Sequence, residues 1–145
     1  MWAHDEYLNR LTADSEARAS VASAEQFLRE TLGDVSFDSI FIGNANPAPT
    51  GPRFGGLWYF TDAFRIVVGN FLRQPQYVVG RAGPLEGITI VTNDWERGQP
   101  TAESVMAIQF TDPFHLGGGL TARGENCTQL HDVLKRYLLP KLRLT

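Results

Sequence analysis

Residues 56–69 read GLWYFTDAFRIVVG, and this stretch decides the fold. It holds two short runs of aromatic and β-branched residues, separated by Asp62 and Ala63. Such runs favour β-strands, and a short polar interruption between them favours a tight turn. We therefore predict a hairpin of two antiparallel strands, from Leu57 to Thr61 and from Phe64 to Gly69.

The same pattern continues on both sides of this hairpin. Apolar runs of four to eight residues bounded by Gly, Pro, Asn or Asp are typical of short antiparallel strands. We predict six or seven strands in all, the last on a less regular pattern. The others are Phe37 to Gly43, Gln76 to Arg81, Gly87 to Thr92, Ser104 to Phe110 and a segment near His115 to Thr121.

Helices are predicted at both ends of the strand region. Apolar residues at three- and four-residue spacing indicate a helix that Asp14 or Ser15 begins and Gly33 ends, and a shorter helix from Ala3 to Leu11. The apolar positions of the longer helix are Val21, Ala24, Phe27, Leu28 and Leu32.

A third helix is predicted from Asn126 to Leu139. Asn126 and Gln129 have the spacing of a capping box, and Pro140 marks the end. Its apolar stripe consists of Leu130, Val133, Leu134, Tyr137 and Leu138. The expected fold class is α+β: an antiparallel sheet or partly open barrel of about seven strands, with N-terminal helices and a C-terminal capping helix.

Composition indicates one globular domain over residues 1–145, with a helical extension at 1–34 and a core at 36–140. The chain is 43% hydrophobic and 20% charged, which are ordinary values for a folded domain. With 13 Lys and Arg against 16 Asp and Glu, it lacks the cation excess that nucleic-acid binding requires. A single cysteine, an acidic start and the lack of a long apolar run favour a soluble protein in the cytoplasm.

No residue pattern specifies a catalytic or metal site. The three histidines lack the spacing of zinc ligands, and His115, next to Asp112-Pro113, is the best candidate for a general base. Cys127 has no activating neighbour in sequence, so we expect it to be inert. Neither Gly-rich stretch, 51–56 or 117–119, is followed by the Lys-Ser/Thr of a phosphate-binding loop. We expect no cofactor.

The aromatic hairpin and the long loops are the best candidates for a binding surface. Two connections, Asn44 to Gly56 and Asn93 to Glu103, are long and rich in turn-forming residues. Arg53 and Phe54 lie in the first, and Tyr59 lies on the strand face opposite Trp58 and Phe60. Arg and aromatic residues often anchor interfaces. We predict that Arg53, Phe54 and Tyr59 bind a partner while Trp58 and Phe60 form core; the alternative is that a helix covers Tyr59.

The segment from Gly56 to Val67 resembles the strand, Thr-Asp turn and strand of the pleckstrin-homology-like superfold, including its GRAM and bacterial branches. The order of about seven strands and one C-terminal helix is similar to that family as well. The resemblance implies that the last helix closes the open end of a barrel. Phosphoinositide-binding members of the family carry a basic first loop, whereas residues 44–56 here offer only Arg53. The resemblance therefore implies a protein or peptide partner, with membrane lipid as a less supported alternative.

The expected function is a binding module rather than an enzyme. Two alternatives stay open: a small cone-shaped α+β protein with a ligand pocket or active site, and an immunity or accessory protein that acts by occupying a partner. A pocket containing His115 or several acids favours the enzyme, whereas a filled barrel favours the module. The sequence gives no indication of the oligomeric state.

Overall fold

The computed structural model describes residues 2–11, 15–44, 54–111 and 118–142. These residues form an α+β fold with three α-helices and seven antiparallel strands. The helices are α1 His4–Leu11, α2 Ser15–Leu32 and α3 Asn126–Val133. The strands are β1 Ile40–Asn44, β2 Phe54–Phe60, β3 Phe64–Gly69, β4 Gln76–Arg81, β5 Gly87–Asn93, β6 Val105–Thr111 and β7 Gly118–Arg123.

The strands form two sheets that do not close into one barrel. The first sheet has the order β1-β2-β3-β4 and the second the order β5-β6-β7. The two sheets approach each other where β1 lies beside β7, and there the Arg123 amide donates to Asn44 Oδ1 over 3.0 Å. No ladder of hydrogen bonds joins β4 to β5, although residues 82–86 connect them.

The predicted hairpin is confirmed at β2 and β3. Thr61 Oγ1 accepts hydrogen bonds from the amides of Ala63 and Phe64, which fixes the turn between the two strands. β3 and β4 have the predicted bounds, but β1 starts at Ile40 instead of Phe37. There the Asp38 amide donates to Ser36 Oγ, so the chain bends before it enters the strand.

One hydrophobic core fills the space between the two sheets and α3. Trp58 and Phe60 lie in this core, as predicted, and their rings are stacked. Leu134 of the C-terminal helix is buried there as well. Since side chains alternate along a strand, the inward residues of β2, β6 and β7 meet in this core. The other large members are Phe41, Leu85, Met106, Ile108, Phe110, Leu120, Leu130 and Leu138.

A second core lies on the opposite face of the first sheet, beneath α1 and α2. The outward residues Leu57 and Tyr59 of β2 and Ile66 of β3 pack there against α2. Val21, Ala24 and Leu28 of the predicted α2 stripe are buried, but Phe27 and Leu32 are exposed, which corrects that part of the prediction. Phe27 stacks on Tyr77 of β4.

The C-terminal helix is docked as predicted, but its last part is not α-helical. After α3 come a π-helical turn, Leu134–Leu138, and a 3-10 turn, Leu139–Lys141, that includes Pro140. The tail then lies against the connection from β4 to β5, where the Leu85 amide donates to the Lys141 carbonyl over 2.8 Å. None of the described helices combines the length and apolar character that a membrane crossing requires.

Candidate binding surface

The prediction that Tyr59 is a surface contact is wrong. Its side chain is fully buried, because α2 covers the face of β2 that carries Leu57 and Tyr59. The Tyr59 hydroxyl donates a short hydrogen bond to Glu25 Oε2, and its ring packs edge-on against Phe37. The alternative reading, that an N-terminal helix covers this face, is the correct one.

The other two predicted contact residues belong to a loop that the structure describes only at its ends. Arg53 lies outside the described residues. Phe54 is the first residue of β2, paired with Asn44, but its side chain lies outside the described part. The role predicted for Arg53 and Phe54 therefore stays a prediction. His115 also lies outside the described residues.

A chain of polar side chains connects α1, α2 and β2 around Glu25. The buried Glu25 carboxylate accepts the Tyr59 hydroxyl, and His4 Nε2 lies 2.6 Å from its Oε2 atom. His4 Nδ1 lies 2.9 Å from Asp5 Oδ1, and Arg29 approaches Glu25 Oε1 at 3.9 Å. The hydrogen bond to Glu25 raises the pKa of His4 to about 9, against the opposing effect of burial.

The members of this polar chain satisfy one another's hydrogen bonds. Burial raises the pKa of Tyr59 far above its ordinary value, and the Glu25 charge adds to the effect, so the hydroxyl keeps its proton. Glu25 is enclosed by its own partners, so its oxygens are not presented to a substrate. The arrangement holds both N-terminal helices on the first sheet.

Cys127 is buried, as an inert thiol would be. Its Sγ lies 3.6 Å from the Ser104 carbonyl oxygen, and burial raises the pKa of the thiol to about 11. A thiol with this pKa is protonated near neutral pH and is a poor nucleophile. Within the described ranges, no three His, Cys, Asp or Glu side chains converge as metal ligands would.

The second long connection, between β5 and β6, is an ordered loop that contacts the last helix. Trp95 Nε1 donates to the Val105 carbonyl over 3.1 Å, and the indole ring meets His131 of α3 edge-on. Ser104 Oγ donates to the Asp94 carbonyl over 2.8 Å. These contacts hold the loop to the last helix at the end of β5.

Side chains cap the free edge of β1. The Ile42 amide donates to the Tyr7 hydroxyl over 2.8 Å, and the Ile42 carbonyl accepts Asn126 Nδ2 over 2.8 Å. The Ile40 carbonyl accepts Gln129 Nε2 over 2.7 Å. The predicted capping box is therefore wrong: Glu125 begins α3 without a side-chain cap, and Asn126 and Gln129 bind the strand edge instead.

The edges of β4 and β5 have no such cover. Each strand pairs on one side only, and no described side chain hydrogen-bonds to the other side. We call these two outer sides the bare edges. They expose β-branched side chains, with relative exposures of 51% for Val78, 43% for Val79, 44% for Ile90 and 58% for Val91.

Each bare edge is apolar on both faces of its sheet. Val78 pairs with Val67 and Ile90 with Ile108, whose side chains face the core between the sheets. Val79 and Val91 point to the opposite faces. On the face of β4 that carries Val79, this apolar surface continues into a groove of about 320 Å³ between the end of α2 and β3. Its apolar lining residues are Leu32, Val35, Phe64, Ile66 and Val79.

Natural sheets usually protect their edges with charges, proline, bulges or a covering segment. β5 contains no charged residue and no proline, and its seven-residue ladder with β6 is uninterrupted. The sequence shows that residues 87–93, GITIVTN, form an uncharged run, which is typical of an unprotected strand. It does not show which side of this strand is left unpaired.

Comparison of the chain with protein-family models, curated proteins and solved structures found no match.

Proposed function

We propose that this chain is a non-enzymatic binding module of the pleckstrin-homology-like type, which takes up an extended segment of a protein partner along the bare edge of β5. The observation that carries the proposal is the contrast between edges: polar side chains cap β1, whereas β5 is left uncovered with Ile90 and Val91 exposed. An added strand gains main-chain hydrogen bonds from such an edge and specificity from the side chains beside it.

Two features support a binding module over an enzyme. The space between the two sheets is occupied by buried apolar side chains, which favours a filled core over a substrate pocket there. His4, Glu25 and Tyr59 bind one another and so attach the N-terminal helices to the sheet. The order of four strands, three strands and a final helix supports the pleckstrin-homology-like assignment. The predicted cytoplasmic location suits this role and stays a prediction.

A selection from a displayed library of random peptides tests the proposal. Peptides that bind should carry a short β-branched run, because β5 presents apolar side chains on both faces. Val91→Lys should weaken binding of the selected peptides about tenfold or more, since a lysine on an edge strand opposes strand addition.

Leu139→Lys is the matched control, because Leu139 is exposed and apolar but lies in the 3-10 turn after the C-terminal helix. It should leave peptide affinity unchanged. Selected peptides that bind Val91→Lys as tightly as the parent would contradict the proposal.

A further inference from the structure

The two bare edges carry opposite charges at their ends. Arg81 is the last residue of β4, Arg73 lies in the turn before this strand, and no acid lies between them. Glu86 and Asp94 flank the β5 segment, and no base lies between them. Within each pair, the two charged residues are eight positions apart in sequence. All four side chains are exposed, and among the described residues none of them takes part in an ion pair.

Between these charges the two segments also match in apolar character. β4 exposes Val78 on one face and Val79 on the other, as β5 does with Ile90 and Val91. A strand beside β5 needs apolar side chains on both of its faces, because both faces of β5 offer them. The β4 segment has this composition, together with cationic ends to meet Glu86 and Asp94.

Within one chain, β4 does not pair with β5. β4 and β5 belong to different sheets and are not hydrogen-bonded to each other. Because β1 lies beside β7, β4 and β5 are the outermost strands of the two sheets, and residues 82–86 connect them on the side where the sheets do not join, which we call the opening. A two-fold axis through that opening brings β4 of one copy against β5 of another and, by symmetry, β5 of the first against β4 of the second.

From these observations we infer that the partner of the β5 edge is β4 of a second copy of this chain, and that two copies close reciprocally into a dimer. This inference rests on the proposed function, since it names the partner of the same edge. Pairing of two β4 strands would set Arg81 near a second basic segment, and pairing of two β5 strands would set acid near acid. Only the β4–β5 combination places opposite charges together at both ends.

Charge reversal tests the pairing. The variant Arg73→Glu/Arg81→Glu makes β4 acidic, and Glu86→Arg/Asp94→Arg makes β5 basic. Each variant alone should raise the dimer dissociation constant about tenfold or more, measured by sedimentation equilibrium, because each sets like charges at both interfaces. An equimolar mixture of the two variants should dimerise as tightly as the parent, because both interfaces then regain opposite charges.

The control Arg18→Glu/Arg136→Glu makes the same change of net charge as Arg73→Glu/Arg81→Glu, at exposed positions outside the strands. It should leave the dimer intact. Circular dichroism of every variant should match the parent, since none of the reversed residues is buried.

The outcomes separate this inference from the proposed function. A parent chain that sediments as a monomer at all concentrations while library peptides still bind β5 overturns the self-association alone. Failure of the mixed variants to associate, or assembly into a ladder of larger species instead of a dimer, also overturns it. If the parent chain neither binds any library peptide nor associates with itself, the proposed function is overturned as well.

Discussion

Glu25 ties three elements together through one buried carboxylate. It lies on α2, accepts the Tyr59 hydroxyl from β2 and lies 2.6 Å from His4 Nε2 at the start of α1. A buried charge is costly unless it is paired and hydrogen-bonded, and here it is both. The residue predicted to contact a partner, Tyr59, therefore serves instead to hold α2 on the sheet.

The raised pKa of His4 predicts that stability falls in mildly alkaline solution. The folded protein holds this proton up to about pH 9, whereas in the unfolded chain the proton leaves near pH 6.5. The stabilisation is thus complete below about pH 6.5 and is lost as the pH rises to about 9. We expect a loss on the order of 2 kcal/mol over this range, read from urea unfolding at successive pH values.

The variant His4→Gln provides the control for this pH dependence. Glutamine can still donate a hydrogen bond but does not titrate, so the decline between pH 6.5 and 9 should disappear. An equally steep decline in His4→Gln would assign the pH dependence to another group.

Asn126 gives a second test at the residue scale, because helix capping and strand capping predict opposite results. Its Nδ2 group donates to the Ile42 carbonyl and to Asn44 Oδ1, both over 2.8 Å. Asn126→Asp replaces this donor by an oxygen that faces two other oxygens, so we expect a loss of about 1–3 kcal/mol in urea unfolding. If Asn126 capped the helix, aspartate would be neutral or stabilising.

Among the elements, the C-terminal helix contributes most directly to the core between the sheets. Leu134 is buried against that core at the start of the π-helical turn. Leu134→Ala should cost about 2–5 kcal/mol in unfolding free energy, because the deleted methyl groups leave a cavity. Leu139→Ala is the control, since Leu139 is exposed in the next turn and should change stability little. An unchanged denaturation midpoint for Leu134→Ala would show that the helix is not docked.

The elements were predictable where a local pattern sufficed. The strands β3 and β4 and the helix α2 follow from runs and spacings within one segment. What could not be predicted depends on contacts between distant segments. Asn126 has capping spacing in sequence, but it binds Ile42, 84 positions away. Tyr59 lies in a hairpin whose two faces look alike in sequence, and only the placement of α2 decides that both are buried.

The bare edges illustrate the same limit. The uncharged composition of β5 was readable, but its unpaired side depends on how the two sheets are arranged. The charges at 73–81 and 86–94 are visible in the sequence as well. They suggest a pairing only once the structure shows that β4 and β5 are both edge strands.

At the scale of the whole molecule, the chain protects one side and leaves another open. The N-terminal helices cover the outer face of the first sheet, and α3 covers the end of the inner core. Side chains from α1 and α3 cap the edge of β1. The side bordered by β4 and β5 is the place where described backbone edges and aliphatic side chains both stay uncovered. This asymmetry is the basis of the proposed binding function.

Amide hydrogen exchange, resolved by residue and measured on the chain diluted to its monomeric form with and without a saturating selected peptide, tests this claim most directly. An added strand would protect amides on the bare edge of β5, because main-chain hydrogen bonds slow their exchange. We predict slower exchange within residues 87–93 and no change at 40–44, where side chains already cap the edge. Protection confined to the loop at 94–104 or to the helices, with residues 87–93 unchanged, would contradict the account.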